Sequence, residues 1–151
     1  MKKVYKLIAT VCGAGYLPFA PGTWGSLVGL AFFLVLSRNS LACFLVFAVL
    51  FAAGKISADK MEIETGRMDP SEIVIDEFVG IFLVFLYIPL TPVFIATGFV
   101  IYRIMDIFKP PPIKFIEKLK GGWGVMLDDI LAGIYACLAL HLLLLFRHCT
   151  P

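Results

Sequence analysis

The chain has 151 residues, a length that suits a single domain spanning 1–151. Its hydrophobic share is 60% and its mean hydropathy +0.94, against about 45–50% apolar residues in soluble domains. So small a domain cannot bury that excess, so the surplus is expected to face lipid. The net charge of +2 gives a nucleic-acid partner little electrostatic support.

Lys2, Lys3 and Lys6 precede an apolar run that is short and interrupted by Gly13, Gly15 and Pro18, which does not read as a secretory leader. Five apolar segments follow, at 24–36, 41–54, 78–90, 93–104 and 125–146. Ser37-Arg38-Asn39-Ser40 joins the first two, and Pro89-Leu90-Thr91-Pro92 turns the third into the fourth. Both junctions predict helical hairpins. Only the last segment reaches the roughly 20 apolar residues of a full span. The others are expected to continue beyond their apolar stretches, the second to about Met61 and the fourth to about Phe108. The third is expected to begin near Ser71, capped by Ser71 or Asp69. Cys12, Cys43, Cys137 and Cys149 are scattered, without metal-ligand spacing, and read as free thiols.

Basic residues set the expected orientation. Lys2, Lys3 and Lys6 lead the chain; Lys55, Lys60 and Arg67 follow the second segment; Lys109, Lys114, Lys118 and Lys120 follow the fourth. The intervening loops offer only Arg38. The positive-inside rule then predicts cytoplasmic long loops and five crossings, unless the first segment is re-entrant. The predicted fold is all-α: a small polytopic membrane helix bundle of short helical hairpins, with acidic helix ends meeting at the cytoplasmic face.

On that topology the acids converge. Asp76 and Glu77 open the third helix, Asp106 closes the fourth, and Asp128 and Asp129 open the fifth. Helix dipoles favour acids at N-termini by about 0.3–1 kcal/mol each, which accounts for four of these five but not for Asp106 at a C-terminal end. Five clustered carboxylates need a counter-charge, and hard oxygen ligands suit Mg2+. Arg103 lies three residues before Asp106 and shares its face. Lys109 is held at the helix exit by Pro110-Pro111-Pro112. Both cations either snorkel to headgroups or grip a phosphate.

In "GAGYLPFAPGTWGS" (13–26), Pro21-Gly22 reads as a turn, and Thr23 or Ser26 as the cap of the next helix. Exposed N–H groups around Gly22, Thr23 and Ser26 suit an anion. Several phosphatase chemistries find no support. No cysteine is followed by an arginine six residues later, no Asp-x-Asp-x-Thr occurs, and His141 and His148 lie far along the chain from the acids. His141 reads as a hydrogen-bonded membrane residue.

Four blocks, "LPFAPGTWGSL", "IVIDEFVG", "YRIMDIFKPPPI" and "GGWGVMLDDILAG", in this order and spacing, resemble the phosphatidylglycerophosphatase A family. The resemblance runs from about Gly13 to Ala136. It implies a bacterial inner-membrane, multi-pass, Mg2+-dependent enzyme with its active site facing the cytoplasm. The enzyme would remove the terminal phosphate of phosphatidylglycerophosphate by attack of a metal-activated water. The family's acidic pattern falls on Asp76, Glu77, Asp106, Asp128 and Asp129, with Asp69 a further match. Its basic pattern falls on Arg103 and Lys109. Met105 and Phe108 occupy a stretch that is often aromatic in the family, which bears on packing and headgroup depth. The expected partners are the lipid substrate and the bilayer, with no nucleic acid. The rival readings are a phosphatase of another lipid phosphate, an ion-conducting or transporter protein, and a membrane scaffold.

Overall fold

The computed structural model describes residues 4–149, with side chains as far as Phe146. Lys2 and Lys3, part of the orientation argument, and the side chains of His148 and Cys149 lie outside the described residues. The described chain is all-helical. The helices are α1 (Val4–Ala9), α2 (Pro21–Leu36), α3 (Ser40–Thr65), α4 (Ile75–Val84), α5 (Pro92–Phe108), α6 (Ile113–Ile116) and α7 (Gly122–Cys149).

Helices end and begin at both expected junctions, α2 to α3 and α4 to α5. Asn39 caps α3 by accepting the Ala42 N–H, and Gly66 ends it in the left-handed region at φ 66°. Thr91 caps α5 through the Phe94 N–H, with Pro92 in the first turn, where its missing N–H costs nothing. α5 ends at Phe108 as expected.

Three helix starts differ from expectation. Pro21 and Gly22 are not a turn but the first residues of α2; Ala20 is its cap position, and neither Thr23 nor Ser26 caps it. α4 starts at Ile75 with no side-chain cap from Ser71 or Asp69. There the chain is docked on α1, where the Val74 N–H donates to the Ala9 carbonyl at 2.9 Å. α7 starts at Gly122, so Asp128 and Asp129 lie in its second turn and its first turn holds no acid. Its N-terminus is capped from another helix: Asp59 of α3 accepts the Gly122 N–H at 2.7 Å. The dipole explanation for Asp128 and Asp129 therefore fails.

α4 is the centre of the bundle, buried along most of its length between α2 and α7. At 10 residues it is about 15 Å long, half the roughly 30 Å hydrocarbon thickness. It is a buried core helix and not the spanning segment expected at 78–90. Beyond its end the chain turns away, with Tyr87 left-handed at φ 58° ahead of Pro89. Close helix approach depends on small residues. A Cβ on Gly29 of α2 would lie 2.5 Å from the Phe78 carbonyl oxygen of α4, and one on Gly133 of α7 would lie 2.4 Å from the Gly80 carbonyl oxygen. Phe33, Phe78, Phe82 and Phe85 fill the adjoining layer with tilted and edge-on ring contacts.

Among the described residues two helices have the length and composition of membrane spans, Ser40–Thr65 and Gly122–Phe146, with hydropathies of 2.2 and 2.1. Only 17% and 28% of their apolar windows are buried inside the protein. A soluble protein's core helix would be mostly buried, so these faces are suited to lipid.

Candidate active site

The starts of α2 and α4, the end of α5, the second turn of α7 and the loop before α4 enclose one cavity of about 210 Å³. All five expected acids line it, together with Arg103, Lys109, Gly22 and Asp69. Thr23 and Ser26 are not among its lining residues.

The five acids divide into two kinds. Asp76, Glu77 and Asp129 each offer an oxygen within 4.8 Å of the others. Asp76 and Asp129 are buried. Asp76 Oδ1 and Glu77 Oε2 are sealed from solvent without a hydrogen-bond partner. Buried acceptors are seldom left so, and buried like charges repel strongly at low dielectric. Three hard oxygens, from two carboxylates with an unpartnered atom and from Asp129, fit a divalent cation such as Mg2+.

The other two acids are each paired with a cation. Asp106 Oδ2 lies 2.6 Å from Arg103 Nη1. Asp128 Oδ2 accepts from Lys109 Nζ at 2.6 Å, and Glu117 Oε1 accepts from the same ammonium at 2.9 Å. Burial works to lower the pKa of Lys109, but Asp128 and Glu117 outweigh it and hold the ammonium above its ordinary range. Lys109 is aimed inward because it is the left-handed cap of α5, at φ 44°. Arg103 also donates from Nη1 to Ser26 Oγ at 3.1 Å and stands 4.0 Å from Glu77 Oε1, while its Nε is buried without a partner.

Ser26 thus acts one layer behind the cavity, and its hydroxyl in turn donates to the Gly22 carbonyl at 2.8 Å. Gly22 has a different constraint: a Cβ there would lie 2.0 Å from Glu77 Oε1 and 3.3 Å from Arg103 Nη1. Only glycine lets the α2 start approach the acids this closely. Asp69 sits exposed at the rim with φ 43°. Its N–H donates to Glu62 Oε1 at 2.8 Å, and Arg67 braces the same loop through Glu72 at 2.8 and 3.1 Å. That contact lowers the Glu72 pKa.

Sequence reasoning missed Tyr102, Glu117 and Asp59. Tyr102, fully buried, donates to Asp129 Oδ1 at 2.7 Å. Its position directly before Arg103, inside a quoted block, was the available signal. Glu117 and Asp59 act on residues distant in sequence and left none. His141 bonds the Cys137 carbonyl through Nδ1 at 2.9 Å, away from the acids, as expected.

Residues 7–144 match the protein family described as phosphatidylglycerophosphatase A. The chain is 43% identical to a phosphatidylglycerophosphatase A of Haemophilus influenzae, over 86% of this chain and 82% of the relative. It is 33% identical to the phosphatidylglycerophosphatase A of Escherichia coli, over 89% and 80%. It is also 40% identical to a Bacteroides thetaiotaomicron protein carrying the provisional name phosphatidylinositol-3-phosphatase, over 86% and 87%. No solved structure matches. With the match spanning nearly all of a chain whose acidic blocks meet in one cavity, the protein belongs to the phosphatidylglycerophosphatase A family.

Proposed function

We propose that this protein hydrolyses the terminal phosphate monoester of phosphatidylglycerophosphate, leaving phosphatidylglycerol and inorganic phosphate for phospholipid biosynthesis. One observation carries the reading. Six carboxylates and two cations, from three helix ends and the loop before α4, line a single cavity at one end of an apolar bundle. The lipid tails stay in the bilayer while the phosphate enters that cavity. We place the enzyme in the bacterial inner membrane with this end toward the cytoplasm, on the side of the lysine-rich loops.

Asp76, Glu77 and Asp129 would hold the Mg2+ ion. Bound there, the ion supplies Lewis acidity and an activated water for in-line attack at phosphorus. The chain's own groups do the rest. Arg103 and Lys109 neutralise the phosphate oxygens, Arg103 also presenting the Nε that has no protein partner. Asp106 and Asp128 hold those two cations against the cavity wall before substrate arrives. One carboxylate takes a proton from the attacking water and returns it to the lipid alcohol oxygen as the ester P–O bond breaks.

The test is phosphate release by purified protein from a panel of lipid phosphates, with Mg2+ and with chelator. Release from phosphatidylglycerophosphate that stops on chelation and returns with Mg2+ is expected. No release from any lipid phosphate at saturating Mg2+ would overturn the reading. The Bacteroides relative favours a second substrate class, an inositol lipid monoester. A higher kcat/KM on that member of the panel would move the assignment there.

A further inference from the structure

Two walls of the cavity end alike. Phe19 directly precedes Ala20, Pro21 and Gly22, and Phe108 directly precedes Lys109; these four following residues all line the cavity. Phe19 is 91% exposed and Phe108 78%. At each junction the backbone is left-handed, with φ 63° at Phe19, 51° at Ala20 and 44° at Lys109. None of these is glycine, so each conformation carries a steric cost. On each wall a ring stands in the open while the next residues face the phosphate site.

Phe19 is not on a helix whose outer face would be apolar in any membrane protein. It lies in the loop before α2, flanked by exposed Tyr16 and Leu17. Phe108 closes α5 beside exposed Ile107. Exposed Phe and Leu side chains at a membrane surface bury at the boundary where headgroups meet acyl chains, which is the level of a lipid phosphate's glycerol.

We propose that Phe19 and Phe108 flank the cavity mouth and pack on the glycerol–acyl junction of the lipid whose phosphate enters it. The proposal rests on the lipid-phosphatase reading and adds a surface that selects a membrane lipid over a soluble phosphate ester.

The experiment compares kcat/KM for diacyl phosphatidylglycerophosphate in mixed micelles with that for the same headgroup lacking acyl chains. In the double variant Phe19→Ser/Phe108→Ser, the ratio of the two should fall about a hundredfold, roughly tenfold for each aromatic side chain's burial lost. The double variant Phe19→Trp/Phe108→Trp should keep it. A serine pair within twofold of the native ratio overturns the proposal, as does a tryptophan pair that falls equally. A readout independent of activity uses position 19 or 108 as a single cysteine, in a background lacking the native four. Labelled with a fluorophore in vesicles, either site should be quenched more by chain-attached nitroxide than by aqueous iodide; the reverse order overturns the seating. Native protein that cleaves neither substrate overturns the lipid-phosphatase reading and the seating with it. Native activity with an unaltered ratio overturns the seating alone.

Discussion

The Tyr102 hydroxyl ties an acid of α7 to the backbone of α4, donating to Asp129 Oδ1 at 2.7 Å and standing 3.3 Å from the Glu77 carbonyl oxygen. Room for it comes from Gly80, where a Cβ would lie 2.6 Å from that hydroxyl. Tyr102→Phe keeps the ring and removes only the donor. It should cost about 1–3 kcal/mol, because a buried acceptor loses its partner. It should also weaken metal binding by about tenfold, as the loss of a ligand's orienting bond does. Thermal unfolding and a Mn2+ titration followed by paramagnetic resonance check both. Unchanged Mn2+ affinity would make the hydroxyl a packing feature only.

The division of the acids gives an ordering. Asp76→Asn, Glu77→Gln and Asp129→Asn should each abolish detectable Mn2+ binding and lower kcat by at least about a hundredfold. Asp106→Asn and Asp128→Asn should retain Mn2+ binding and lose activity through their released cations. Were Asp106→Asn to lose Mn2+ as completely as Asp129→Asn, the three-carboxylate grouping would be too small.

The starts of α3 and α5 and the end of α5 were legible because readable punctuation stands there: Asn39, Thr91-Pro92, and Pro110 after Lys109. The meeting of the acids was legible too: the expected topology put the start of α4, the end of α5 and the start of α7 on one side, and acids from all three line the cavity. What stayed hidden depends on side-chain direction and on distant partners. Nothing local separates Asp128, which turns to Lys109, from its neighbour Asp129, which turns to Tyr102. The glycines before them read as a loop, yet Gly122 already opens α7 because Asp59, 63 residues earlier, caps it. The third apolar run gave no sign that its helix stops at Val84, because Phe85-Leu86-Tyr87 is as apolar as the helix itself.

Orientation follows from charge and can be tested without activity. Arg67 and Lys118 lie in the two basic loops that flank the cavity. Single cysteines at 67 and 118, without the native four, should resist an impermeant thiol reagent applied to sealed cells and react after permeabilisation. Labelling of intact cells at either site would put the cavity on the outer side and remove the cytoplasmic assignment.

Lys109 and Asp128 provide the sharpest separation of stability from catalysis. Asp128 is 3% exposed and its carboxylate leans on the Lys109 ammonium at 2.6 Å. Lys109→Ala leaves that charge buried and unpaired, which should cost about 3–5 kcal/mol. Because the folded lysine's pKa is raised above its ordinary 10.5, the lysine's side of the pair stays charged through neutral pH and is lost only as pH rises past that value. Asp128→Asn in the same chain removes the orphaned charge, so the double variant should regain most of the lost stability. It should not regain activity, because the cation that meets the phosphate is still missing. Unfolding midpoints and kcat/KM for the two single variants and the double variant decide the matter. A double variant that recovers both stability and turnover would make Lys109 a structural counter-ion and leave Arg103 as the phosphate's partner.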